Sequence, residues 1–180
     1  ITITGSEEEY WEAFNDGTID LIATDHAPHS REEFEQAQRN VHDSVIVAYP
    51  QVEHYMSLFL TEVNNGRITL ERLSKLCSEN VARHLGVYPR KGSLQPGSDA
   101  DLIVVDMERT SQLDSSKFMS KAKYSPFEGW TMRGLPVMTF VGGTLVAKDG
   151  EIVAEPGCGS FVAPGGDFDT PDRKAVGAGR

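Results

Sequence analysis

The chain has 180 residues, room for one ordinary domain, and its 39% hydrophobic content is enough for a core. Lys and Arg total 17 against 27 Asp and Glu, and the net charge of -10 excludes a general affinity for nucleic-acid backbones or anionic membrane surfaces. No apolar run approaches the roughly 20 residues of a membrane span. Cys77 and Cys158 stand far apart with no second Cys or His at metal spacing, which argues against a disulfide framework or zinc ribbon and for a reducing, cytoplasmic setting.

In chain order, Ile1-Thr2-Ile3-Thr4 shows neither a basic region nor an initiator Met, a first sign of a truncated chain. Ser6-Glu7-Glu8-Glu9 predicts a capping box opening a short helix through Phe14, with acids at its positive end and Asn15-Asp16-Gly17 closing it. Ile19 to Ala23 reads as a buried strand that ends in Thr24-Asp25-His26-Ala27-Pro28-His29, where Pro28 stops regular structure. In parallel α/β folds, sites are built just past the carboxyl ends of strands. Ser30 to Asn40 is charged and weakly helical, and Val41 to Tyr49 completes a long loop over the strand end.

Val52, Tyr55, Met56, Phe59, Leu60 and Val63 follow helical spacing up to Asn64-Asn65-Gly66. Thr69 is the expected N-cap of another helix, striped by Leu70, Leu73, Leu76, Cys77, Val81, Ala82 and Leu85. Beyond Gly86 the signals turn to Gly, Pro and β. Lys91 to Asp101 is a turn-rich connector and Leu102 to Asp106 a short strand. Val137 to Val141, Thr144 to Ala147 and Glu151 to Val153 form a three-stranded meander. The tail from Pro164 lacks apolar periodicity and is expected to be disordered.

One Asp and two His within five residues can serve as zinc ligands. Adjacent Asp25 and His26 point differently, however, and zinc needs three or four protein ligands, so this stretch alone does not make a site. The residues themselves leave two readings open: part of a metal site, or an Asp capping a turn beside two exposed histidines. His42, His54 and His84 read as surface or packing residues, and Tyr124, Phe127 and Trp130 as packing aromatics. Gly142-Gly143 and Gly157-Cys158-Gly159 are turn glycines without a strand-to-helix context for phosphate binding, and Cys158 lacks a nearby His that would make it a nucleophile.

Gly17 to His29 resembles the eighth-strand motif of dihydroorotases in the amidohydrolase superfamily. Ser78-Glu79-Asn80-Val81-Ala82-Arg83-His84-Leu85-Gly86 is similar to the helix that ends that barrel, and Lys91 to Leu102 to the return into its β-sandwich. Tyr124 to Trp130 and the hairpins from Val137 to Val153 are similar to its last strands. The resemblance, running from about Ser6 to Val162, implies an α/β fold: the C-terminal part of a (β/α)8 TIM barrel, its last strand and helices, followed by strands of a small β-sandwich. The expected division is 1–88 for the barrel end, 89–162 for the sandwich and 163–180 for the tail.

It further implies a metal-dependent cyclic amidohydrolase of dihydroorotase type with a binuclear zinc centre, a small cyclic amide as substrate, and a homo-oligomer at full length. Asp25 would contact the more buried metal and act as general base, taking a proton from a metal-bound hydroxide and passing it to the leaving amide nitrogen. His29 would bind the substrate carboxylate or ring carbonyl, and His26 would orient the loop behind Asp25.

Such a barrel takes about 250 residues, and only about 85 precede the β unit. The family's His-x-His pair, carboxylated lysine and two further histidines would therefore lie upstream, and the chain is expected neither to bind the metal pair nor to turn over alone. Arg39 to Ser44 and Tyr49-Pro50-Gln51 stand where a Gly-rich substrate loop is expected, which leaves allantoinase and hydantoinase or dihydropyrimidinase activities open. A non-catalytic scaffold is the alternative of a different class.

Overall fold

In the computed structural model, residues 6–39 and 49–165 are described. The capping box forms as expected. Ser6 Oγ accepts the Glu9 N–H at 3.2 Å while Glu9 Oε2 accepts the Ser6 N–H at 2.7 Å, and helix α1 runs Glu7–Asp16 to a left-handed Gly17. A second capping box, Ser30 with Glu33, opens α2 at Arg31–Arg39, so this segment is a formed helix. Helix α3 is Tyr55–Asn64. It starts later than the apolar spacing suggests, because residues 52–54 form a turn whose Val52 is exposed.

Thr69 caps the next helix through Arg72 N–H, 3.1 Å from its Oγ1. That helix is α4 (Leu70–Ser74), a π turn (Lys75–Glu79) and α5 (Asn80–His84) in unbroken succession. Leu73, Leu76 and Ala82 of its stripe are buried, whereas Leu70 and Leu85 at its two ends are exposed. Burial pushes the Cys77 thiol, in the π turn, up to about 11, which makes it inert as a nucleophile at neutral pH.

The expected strand over Ile19 to Ala23 does not form. Its backbone groups are taken by helix and side-chain partners. Ile19 N–H donates to Ala13 O and Ile22 N–H to Leu76 O, while the Ile19 and Asp20 carbonyls accept from Arg72 Nη2 and Asn80 Nδ2. A strand needs a neighbouring ladder, and none pairs with this segment among the described residues.

The β region is a four-stranded sheet in the order β1-β2-β3-β4. Strand β1 is Leu102–Gln112, β2 Thr131–Val141, β3 Thr144–Lys148 and β4 Glu151–Ile152. The meander is as expected, β2 with β3 and β3 with β4 antiparallel, with a register shift between Thr139 and Phe140. Strands β1 and β2 are longer than the sequence suggests. In β1, Glu108, Arg109, Thr110 and Ser111 are all exposed, so no inside-outside alternation marks its second half. Among the described residues no helix is long and apolar enough to cross a membrane. Of the expected disordered tail, residues 166–180 lie outside the described residues.

The chain divides into two compact units that interleave in sequence. The first comprises Ile1–Ile22, Thr69–Val104 and Val137–Arg180. Within it Lys91 bridges Asp99 and Asp101, whose other oxygen accepts the Gly142 N–H at 2.7 Å. The second comprises Ala23–Ile68 and Val105–Pro136, with a core cluster of Leu113, Phe118 and Met132 against Leu58, Phe127 and Leu135.

His54 sits in this second unit, only 3% exposed. Its ring stacks on Phe118 at 5.3 Å and meets the edge of Phe127 at 5.7 Å. It is therefore a packing histidine, and neither ring nitrogen has a hydrogen-bond partner among the described residues. Desolvation holds its pKa below the ordinary 6.5; Glu53 pulls the other way, and His26 adds to the lowering. A lowered folded pKa means that the stability contribution is complete above about 6.5, the unfolded value, and is lost as pH falls from there through the folded value. Urea unfolding midpoints at about pH 7 and about pH 5 test this: the acid drop should be larger in the wild type than in His54→Gln. Equal drops would remove His54 as the cause.

Candidate active site

The stretch from Ile19 to His29 is built in two parts. Its first part, in the first unit, is clamped by the α4–α5 helical run. Arg72 donates Nε to Phe14 O at 2.5 Å and Nη2 to Ile19 O at 2.9 Å, so one planar guanidinium ties the end of α1 to the segment that follows it. Asn80 Nδ2 reaches Asp20 O at 2.6 Å, and Ile22 N–H reaches Leu76 O at 3.1 Å. Asn80 belongs to the Ser78 to Gly86 motif and acts there as a backbone anchor.

The second part, in the second unit, carries the ionisable groups. Asp25 is exposed and has φ +46, a left-handed conformation that few non-glycine residues adopt but Asp and Asn tolerate. His26 is half-buried, and its Nδ1 accepts the backbone N–H groups of Gln51 at 3.0 Å and Val52 at 3.2 Å. Its own N–H donates to Thr24 Oγ1 at 3.3 Å, and Ala27 N–H donates to Tyr49 O at 3.3 Å. His29 lies one residue before the α2 cap, with Nδ1 3.7 Å from Glu33 Oε2. Glu33 also receives Lys121 Nζ at 3.0 Å. The Ser30 N–H, then Lys121, hold the Glu33 carboxyl below the usual carboxylate range.

Asp25 and His29 thus lie within one short, pinned turn, which presents a carboxylate able to trade a proton with water and an imidazole able to hydrogen-bond a ligand. His84 is exposed, and His42 lies outside the described residues. Phe127 packs on the core cluster, while Trp130 meets the Phe127 edge at 5.1 Å and is itself exposed. Sequence reasoning missed the Glu33 and Lys121 groups around His29. The Ser30-x-x-Glu33 spacing was the available signal for the first; a contact across 88 residues left none for the second.

A binuclear metal centre needs several carboxylate and imidazole ligands converging on two ions. Among the described residues no group of three or more His, Cys, Asp or Glu comes together in that way. Asp25 with its flanking imidazoles does not by itself fit such a centre.

The helices and the four-stranded sheet give a mixed α/β scaffold. The Amidohydrolase family model matches residues 7–146. An L-hydantoinase from Paenarthrobacter aurescens is 42% identical over 153 residues, 84% of this chain and 33% of the relative. A dihydroorotase from Methanothermobacter thermautotrophicus is 40% identical over 135 residues, 75% of this chain and 30% of the relative. The solved L-hydantoinase (dihydropyrimidinase) from Arthrobacter aurescens superposes with a TM-score of 0.79 at 41% identity, covering 86% of this chain and 34% of that one. The fold class is that of the hydantoinase TIM-barrel enzymes, and the chain belongs to the amidohydrolase family. It spans about a third of the length of the curated relatives it matches.

Proposed function

We propose that the full-length protein hydrolyses the amide bond of a small cyclic substrate, with a hydantoin or dihydropyrimidine ring as the first expectation. Asp25 is the general base and one metal contact, and His29 binds the substrate. In this reading, residues 1–88 close the barrel, 89–162 supply sandwich strands and 163–180 form a tail. Binuclear zinc in the full-length protein would supply Lewis acidity toward the attacking water, with Asp25 as one of the residues that would hold it. Asp25 takes a proton from that water as oxygen bonds to the ring carbonyl carbon. It returns the proton to the ring nitrogen as the C–N bond breaks, leaving an open-chain acid. A carboxylate exposed on a fixed turn suits both transfers. His29 hydrogen-bonds a substrate oxygen, with Glu33 steadying its imidazole. The observation that carries the reading is the exposed, left-handed Asp25 on a turn pinned at its neighbours.

The hydantoin preference is supported by the 42% identity to an L-hydantoinase across most of the chain. Dihydroorotate is the second reading, supported by the 40% identity to a dihydroorotase and by the Asp25 to His29 motif. A substrate panel on the full-length protein separates them. At least tenfold higher kcat/KM for hydantoins or dihydrouracil than for dihydroorotate is expected, a difference of about 1.4 kcal/mol. The reverse order would assign the dihydroorotase reading, and no turnover of either would favour the scaffold. The 180-residue chain alone is expected to be inactive.

A further inference from the structure

His26 stands between Asp25 and the Ala27-Pro28-His29 turn, and its ring faces two donors at once. Nδ1 receives N–H groups from Gln51 and Val52, 25 and 26 residues further along the chain. An imidazole nitrogen accepts only through its lone pair, so Nδ1 is bare and the ring hydrogen is on Nε2. The Ala27 N–H bond to Tyr49 O runs between the same two stretches of chain. Residues 26 and 27 are therefore held against 49–52 by three backbone donors, directly beside the strained Asp25. A non-glycine residue in that region of backbone space is strained and persists where its surroundings over-determine it.

We propose that His26 is the positioning residue of this site: its neutral ring, bare at Nδ1, holds the Gln51 and Val52 amides and so keeps the Asp25 backbone left-handed with its carboxylate presented. The effect on turnover rests on the reading of Asp25 as the base; the anchoring itself does not. Asn places a side-chain acceptor oxygen about where His places Nδ1, whereas Ala places nothing there.

The experiment pairs amide hydrogen exchange by NMR on this chain with steady-state kinetics of the full-length protein, for the wild type, His26→Ala and His26→Asn. In His26→Ala the Gln51 and Val52 amides should exchange roughly tenfold faster, the size of one lost hydrogen bond, and the Ala27 amide should follow. His26→Asn should restore protection. In parallel kcat should fall about tenfold or more in His26→Ala with KM little changed, and recover in His26→Asn. Unchanged exchange in His26→Ala, an Asn variant as unprotected as Ala, a ring proton found on Nδ1, or wild-type kcat in His26→Ala would each overturn the proposal. A wild-type protein that opens no cyclic amide would fail the functional reading, and the exchange data would then decide the anchor separately.

Discussion

Asp25→Asn should lower amide hydrolysis by the full-length protein by about 10²–10⁴-fold, the usual contribution of a positioned general base, while leaving the fold intact. The substitution is chosen on the backbone. Asp25 has φ +46, and Asn adopts that region at least as readily as Asp, whereas Ala would add about 1–2 kcal/mol of strain. The carboxylate is exposed, so losing its charge leaves no buried partner unpaired. What Asn lacks is the capacity to take a proton from water and give it up again. Thermal melts and kcat measured on the same preparations separate the two effects: an unchanged melt with turnover lost is the expected pair. A melt that collapses would instead make Asp25 a residue of the fold.

A large stability effect is expected at Gly134→Ala. Gly134 lies in β2 at φ +97, and a Cβ there would stand 2.8 Å from Leu60 Cβ and 3.2 Å from Asn64 Nδ2. Leu60 is 1% exposed, and Asn64 Nδ2 is held by Met107 O and Arg133 O, each at 3.0 Å. Neither neighbour moves freely, one being packed in the core and the other bonded on two sides. Strain of about 1–2 kcal/mol and overpacking of about 1–3 kcal/mol together give a loss of roughly 2–5 kcal/mol. Gly129→Ala is the control, since Gly129 has φ +77 but nothing within 4 Å of the added carbon. It should show the strain alone, about 1–2 kcal/mol. Urea unfolding of both variants checks the difference, and equal losses would mean that β2 shifts to admit the methyl.

Caps and turns were legible in the sequence because their chemistry is local. Ser6 with Glu9, Thr69, Gly142-Gly143 and the strands from Val137 onward each declare themselves within a few residues. The segment Ile19 to Ala23 was misread for a physical reason. Its apolar run satisfies the pattern of a buried strand, but a strand is made by its neighbours. Here Arg72 and Asn80, 53 and 60 residues away, take its carbonyls. At the candidate site, Asp25 and His29 were visible through their motif. The anchoring of His26 by Gln51 and Val52, and the reach of Lys121 to Glu33, are contacts between distant stretches that no local spacing encodes. His54 was read as a surface or packing residue and is the latter, but that its two ring nitrogens lack partners among the described residues follows from the Phe118 and Phe127 rings around it.

Asp25, held on this turn, is proposed as the base of a cyclic amidohydrolase. The most direct test of that role is hydantoin ring opening by the full-length zinc-loaded protein, wild type against Asp25→Asn, followed by release of the open-chain acid. The expected result is steady ring opening in the wild type and its loss, by at least about a hundredfold, in the variant. An Asp25→Asn protein that opens the ring as fast as the wild type would contradict it.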